Sequence, residues 1–223
     1  MIKLGATTKA KDALNWTPLH YAIKTKNLEI VRILIENGSE INALANRKEA
    51  GLTTWSPLCG AVQKANLELV KLLIENGAEL NPKAKNTGVP LHFAVTSAFS
   101  EERKKAANFE VIKCLIENGA EVDAKNFKGK TPLFYAVKND LDMEIVEYFI
   151  TCGADSYAKT CQTLVIDDLC PLQLAISKKH ALKKYDQFVR NTSCFCTMCD
   201  FHKNTFFAIS KMAKTQFLHQ KKV

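Results

Sequence analysis

The chain has 223 residues, 47% of them hydrophobic, and a net charge of +8. That is enough apolar material for a normal core, yet no uninterrupted apolar stretch approaches the roughly 18 to 20 residues that span a bilayer, and residues 1 to 11 lack the apolar segment of a secretory signal. These readings predict a soluble, cytoplasmic protein whose eight cysteines stay reduced, which makes the sequons Asn15-Trp-Thr17 and Asn191-Thr-Ser193 chance matches.

The charge is unevenly placed. Residues 1 to 177 hold 21 Lys/Arg and 21 Asp/Glu, whereas residues 178 to 223 hold 10 Lys/Arg against Asp186 and Asp200 alone. The whole excess lies in the C-terminal fifth.

In chain order, the first predicted helix opens at Thr17-Pro-Leu-His-Tyr-Ala22. Proline suits a first helical turn because its missing N–H has no partner there, and Thr17 caps the start with its hydroxyl. A second helix carries Leu28, Ile30, Val31, Leu34 and Ile35 at helical spacing and stops at Asn37-Gly38, residues that tolerate the left-handed conformation. The pattern returns at Ser56-Pro-Leu-Cys-Gly-Ala61 with Leu67 to Ile74 and Asn76-Gly77, and at Val89-Pro-Leu-His-Phe-Ala94 with an ending at Asn118-Gly119. It returns again at Thr131-Pro-Leu-Phe-Tyr-Ala136, with Met143 to Ile150 and Cys152-Gly153. A fifth copy, Cys170-Pro-Leu-Gln-Leu-Ala175, has the apolar face Ala181 to Val189 and no Asn-Gly stop.

From each proline to its glycine the chain runs 20, 20, 29 and 21 residues, and from each glycine to the next proline 19, 13, 13 and 18. The departures mark insertions near Asn46 to Ala50, near Ser97 to Asn108, and near Thr160 to Asp168. The middle one separates the two helices of its unit.

These openings resemble the T-P-L-H-x-A signature of ankyrin repeats, whose period is about 33 residues. The resemblance covers most of the chain and implies an all-α repeat solenoid of β-turn and helix-turn-helix units, joined by hairpin fingers, with a C-terminal helical cap. The predicted repeats are 12–44, 51–83, 84–125, 126–159 and 165–193, making a domain of 1–193 followed by a basic segment, 194–223. The first and third insertions then lengthen fingers. The resemblance also implies that His20 and His92 tie neighbouring turns together rather than catalyse, and that Tyr21, Phe93, Tyr135 and Leu174 pack.

For function it implies a scaffold or adaptor binding another protein. Trp16 and Trp55 stand two residues before a repeat proline, at the finger position that points outward to ligands in such proteins, so they are the expected recognition anchors. Lys130 occupies the same position later, Phe127 and Lys128 lie at other variable finger positions, and Lys24, Lys64 and Lys138 stand on the inner helices. A rival reading has the tryptophans packing along an adjacent finger. No Gly-rich phosphate loop, nucleophile elbow or His-Glu metal pair is present, which predicts a non-enzyme without small-molecule substrate, working as a monomer.

Cys194, Cys196, Cys199 and His202 offer soft ligands for Zn²⁺, although all four come from one short segment, and packing cysteines are the competing reading. Asn204 to Gln220 reads as an amphipathic helix with Phe206, Ile209, Ala213 and Phe217 on one side. It is expected to cap repeat 5; an acidic partner, an anionic membrane, calmodulin or nucleic acid are the alternatives for so basic a segment. The family also supplies host-directed effectors of intracellular bacteria, a further reading of the same array.

Overall fold

The computed structural model describes residues 7–46, 54–83, 89–96, 102–126, 128–156 and 158, with backbone alone for 102–107. The predicted fifth repeat, the cap and the Cys194–His202 cluster lie outside the described residues.

Four helix pairs follow one another: α1 (Pro18–Thr25) with α2 (Leu28–Glu36), α3 (Pro57–Gln63) with α4 (Leu67–Glu75), α5 (Pro90–Thr96) with α6 (Glu102–Glu117), and α7 (Pro132–Lys138) with α8 (Met143–Thr151). Between α2 and α3 two short strands, β1 (Ala45–Asn46) and β2 (Thr54–Trp55), pair antiparallel, Ala45 opposite Trp55. They flank the first predicted insertion. The first helices of the pairs stack in the order α1, α3, α5, α7, and α4 packs on α6, giving an inner and an outer layer.

The starts and stops have the expected chemistry. Ser56 and Thr131 accept from the amides of Cys59 and Phe134, while Asn27 and Asn66 cap the outer helices by accepting from Ile30 and Leu69. At the ends Gly38, Gly77, Gly119 and Gly153 have φ of +76°, +87°, +94° and +88°, the left-handed turn that glycine enters without steric cost. The asparagine before three of them donates back to the helix: Asn37 to Ile33 O, Asn76 to Leu72 O and Asn118 to Cys114 O.

The core is a strip. Leu19, Leu58, Leu91 and Leu133, the leucines of the Pro-Leu pairs, are fully buried, and Ala22, Ala61, Ala94 and Ala136 let the inner helices approach closely. Val31 and Leu34, with their counterparts Val70 and Leu73, Ile112 and Leu115, and Val146 and Phe149, supply the outer layer.

A second set of contacts joins each unit to the next. Asn42 Nδ2 donates to Gly77 O at 3.0 Å and its Oδ1 accepts from Glu79 N at 2.8 Å; Asn81 makes the same pair with Gly119 O and Glu121 N, 2.9 and 2.8 Å. At the third rung Asp123 only accepts, from Asp155 N at 3.0 Å, because a carboxylate has no proton to give Gly153 O. Burial pushes the Asp123 carboxyl up, against the lowering effect of that bond.

One boundary departs from the spacing. The sequence around Asn108 (Asn-Phe-Glu-Val-Ile) matches the capping segments Asn27-Leu-Glu-Ile-Val and Asn66-Leu-Glu-Leu-Val, yet α6 begins six residues earlier, at Glu102. The insertion therefore supplies helix rather than only a separator. Asn108 becomes an interior residue, wholly buried, with neither amide atom partnered. A lost cap costs about 1 kcal/mol, whereas removing a buried unsatisfied amide gains a comparable amount. Asn66→Ala should thus lower the melting temperature and Asn108→Ala raise it. Thermal melts in which both substitutions move the midpoint downward would contradict this helix start.

Charge at the helix ends follows the two layers. Outer helices α2 and α4 carry Glu at their second position and at their end, α6 carries Glu102, Glu110 and a terminal Glu117, and α8 carries Glu144 and Glu147; Arg32 and Lys71 oppose them on α2 and α4, and Arg103, Lys104, Lys105 and Lys113 on α6. The inner helices and their C-terminal turns carry Lys24, Lys26, Lys64 and Lys138 against one acid, Asp140, which stands where the first unit has Lys26.

Candidate partner-binding surface

The N-terminal end of the inner layer gathers the aromatic residues. Asp12 organises the approach: its Oδ1 accepts from the amides of Leu14 and Trp16, both 2.8 Å, and its Oδ2 accepts from the Tyr21 hydroxyl at 2.7 Å. The Tyr21 bond is the main reason the Asp12 carboxyl sits below its usual range, and it raises the Tyr21 phenol in return. The loop is tied to the finger, since Asn46 N donates to Leu14 O and Trp16 Nε1 donates to Asn46 O at 3.2 Å.

Trp16 is half-buried. Its ring centre lies 5.2 Å from Trp55, 5.3 Å from Tyr21 and 5.7 Å from His20, all tilted, distances at which aromatic pairs attract. Lys24 Nζ stands 5.9 Å from the Trp16 ring centre, the outer limit of a cation–π contact.

Trp55 is placed beside Trp16 as the repeat register predicts, but not as an exposed anchor. It is only 6% exposed. The cause is Gly60: a Cβ there would lie 2.9 Å from Cη2 and Cζ2 of the indole and 3.2 Å from Ile23 Cγ2. Glycine in this repeat thus leaves the slot that Tyr21, Phe93 and Tyr135 fill in theirs, and the Trp55 ring occupies it. The reading in which a tryptophan packs holds for Trp55.

Lys130 needs the same correction. It is 9% exposed, its Nζ 4.4 Å from the centre of the Phe134 ring that stands where other repeats have histidine. Lys128, Lys24, Lys64 and Lys138 are exposed, as expected, and Phe127 lies outside the described residues. Tyr21 is the residue the sequence reading missed: expected to pack, it is 48% exposed, whereas Phe93 and Tyr135 are half-buried between repeats. The signal was its place in the first unit, which has no described unit before it.

The histidines hold the array. His20 Nδ1 accepts from Thr17 N at 3.1 Å, so Nε2 carries the proton and donates to Trp55 O at 3.3 Å. His92 Nε2 donates to Lys130 O at 2.8 Å, and its Nδ1 has no partner because Val89 replaces the threonine. Burial lowers both below the usual histidine range, His92 to about 4. Both are neutral bridges at pH 7.

The comparisons fit this geometry. A family model described as Ankyrin repeat matches residues 14–46 and 54–86, and one described as Ankyrin repeats (3 copies) matches 104–185. The chain belongs to the ankyrin-repeat family. No curated protein matches it. Among the described residues of this ankyrin array no group of three or more His, Cys, Asp and Glu is placed to hold a metal, and no helix is long and apolar enough to cross a membrane. Among the described residues Cys59, Cys114 and Cys152 are in no disulfide. In the groove between α4 and α6, lined by Lys71, Glu75, Glu110 and Lys113 among others, burial pushes the Cys114 thiol up, the opposite of nucleophile activation.

Proposed function

We propose that this ankyrin array is a non-enzymatic scaffold that holds a segment of another protein along its inner helices and fingers, with Trp16 and Tyr21 as the anchor. Ankyrin arrays are protein–protein interaction modules, and the finer assignment rests on one observation. Tyr21 is 48% exposed beside the half-buried Trp16; Asp12 and Asn46 hold the pair by hydrogen bonds, and the Trp16 ring rests on Trp55 and His20. Rigid aromatics that lose little entropy on binding are the usual hot spots. As part of the same proposal the array works as a monomer in the cytoplasm.

Affinity capture with the full chain, followed by mass spectrometry and calorimetry on the captured protein, tests the reading. Trp16→Ala and Tyr21→Ala should each weaken binding by about 2 kcal/mol, roughly thirtyfold, while Tyr21→Ala leaves the melting temperature nearly unchanged. Normal affinity in both variants would remove the anchor from this end of the array.

A further inference from the structure

The balanced charge of residues 1 to 177 conceals a difference at the helix ends, mostly basic in the inner layer and acidic in the outer one. Lys24 and Lys138 lie in the last turns of α1 and α7, Lys26 and Lys64 cap α1 and α3, and the one acid at these ends is Asp140, at the position of Lys26. All four lysines are exposed. Favourable interaction with a helix C-terminus accounts for a lysine in a last turn taken singly, but not for the layer pattern, because α2, α4 and α6 end on Glu36, Glu75 and Glu117, against the dipole.

We propose, resting on the scaffold reading above, that the inner side docks an extended acidic segment of a partner protein. Neighbouring helices pack about 8 to 10 Å apart and an extended chain advances about 3.3 Å per residue, so one repeat corresponds to about three partner residues. Lys24 and Lys64 are one repeat apart, Lys64 and Lys138 two, with the uncharged α5 between. The partner therefore carries carboxylates spaced by about three and then about six residues. An apolar side chain stands next to the first of them, because Lys24 Nζ lies beside the Trp16 ring. Exposed charges act mainly on association rate and partner choice: the lysines select an acidic segment and the aromatic anchor holds it.

The test pans the full chain against a random peptide library of roughly 12 residues and measures selected peptides by fluorescence anisotropy at about 50 and 300 mM salt. Binding is compared across the wild type, Lys24→Glu/Lys64→Glu/Lys138→Glu and Tyr21→Ala, each checked for native circular dichroism. Acidic peptides with this spacing should emerge, weaken with salt, and lose about tenfold in the triple variant, as three exposed pairs would give. Neutral or basic peptides that depend on Tyr21 and not on the lysines would overturn the acidic partner and leave the scaffold standing. Peptides indifferent to both sets, including any held by the basic segment after residue 177, would overturn both. An equally charged single-stranded oligonucleotide binding as tightly, with the same loss in the triple variant, would show that the surface reads charge alone and would also overturn the inference.

Discussion

Trp55→Ala should destabilise the array by about 3 to 5 kcal/mol, the usual cost of deleting a large buried aromatic, and should do so with no partner present. The indole is 6% exposed, stacks on His20, touches Trp16 and lies on Gly60. Its removal opens a space at the junction of the first two repeats, which α1 and α3 close only by moving. The second half of the prediction is more diagnostic. Gly60→Ala in the wild type puts a methyl 2.9 Å from the indole and should cost about 1 to 3 kcal/mol by overpacking. In the Trp55→Ala background the same change meets no ring, only Ile23 Cγ2 at 3.2 Å, which the vacated space lets shift, and alanine replacing a helical glycine then gains up to about 1 kcal/mol. A double-mutant cycle by chemical denaturation reads this reversal directly. Additive effects would mean that ring and glycine are not one packing unit.

Acidification should weaken the fold through the histidine bridges. His92 is neutral in the folded array, its pKa lowered by burial from the ordinary 6.5 to about 4. Because the folded value is the lower one, the unfolded chain binds the extra proton between these values. Stability is intact above about pH 6.5 and falls as pH drops toward 4, by about 3 kcal/mol from this residue. His20, also lowered by burial, adds in the same direction, and Asp123, raised by burial, opposes. His92→Gln keeps a donor for Lys130 O while removing the titration, so denaturation at pH 7.5 and 4.5 should differ less in that variant than in the wild type. An unchanged pH dependence would place the acid sensitivity elsewhere.

The repeat frame was legible because each of its signals has a local cause. Proline at a first turn, and asparagine then glycine at a helix end, are set within a few residues, and these reappear where the spacing put them. The bridging role of His20 and His92 followed from the resemblance. Depth was less legible. Aligning Trp16 with Trp55 fixed their positions, which are adjacent, but exposure depends on what stands opposite, and the informative residue was the glycine missing from the aromatic series Tyr21, Phe93 and Tyr135. Lys130 hid its burial in the same way, behind a phenylalanine that replaces histidine. The early start of α6 escaped the spacing because the insertion, which reads as a separator, continues the helix and strands a good capping residue inside it.

The Trp55–Gly60 pair also bears on how such a chain changes by duplication. Units joined by the Asn42 and Asn81 rungs are interchangeable at those contacts, since each rung meets only backbone of the next unit. The second unit is not. A copy of the third or fourth unit placed there would bring phenylalanine or tyrosine to the glycine site and no tryptophan to the strand, leaving Trp16 and Ile23 without the surface they fit. Recombination within this array is therefore expected to preserve the first two units as a linked pair and to vary the number of units after them.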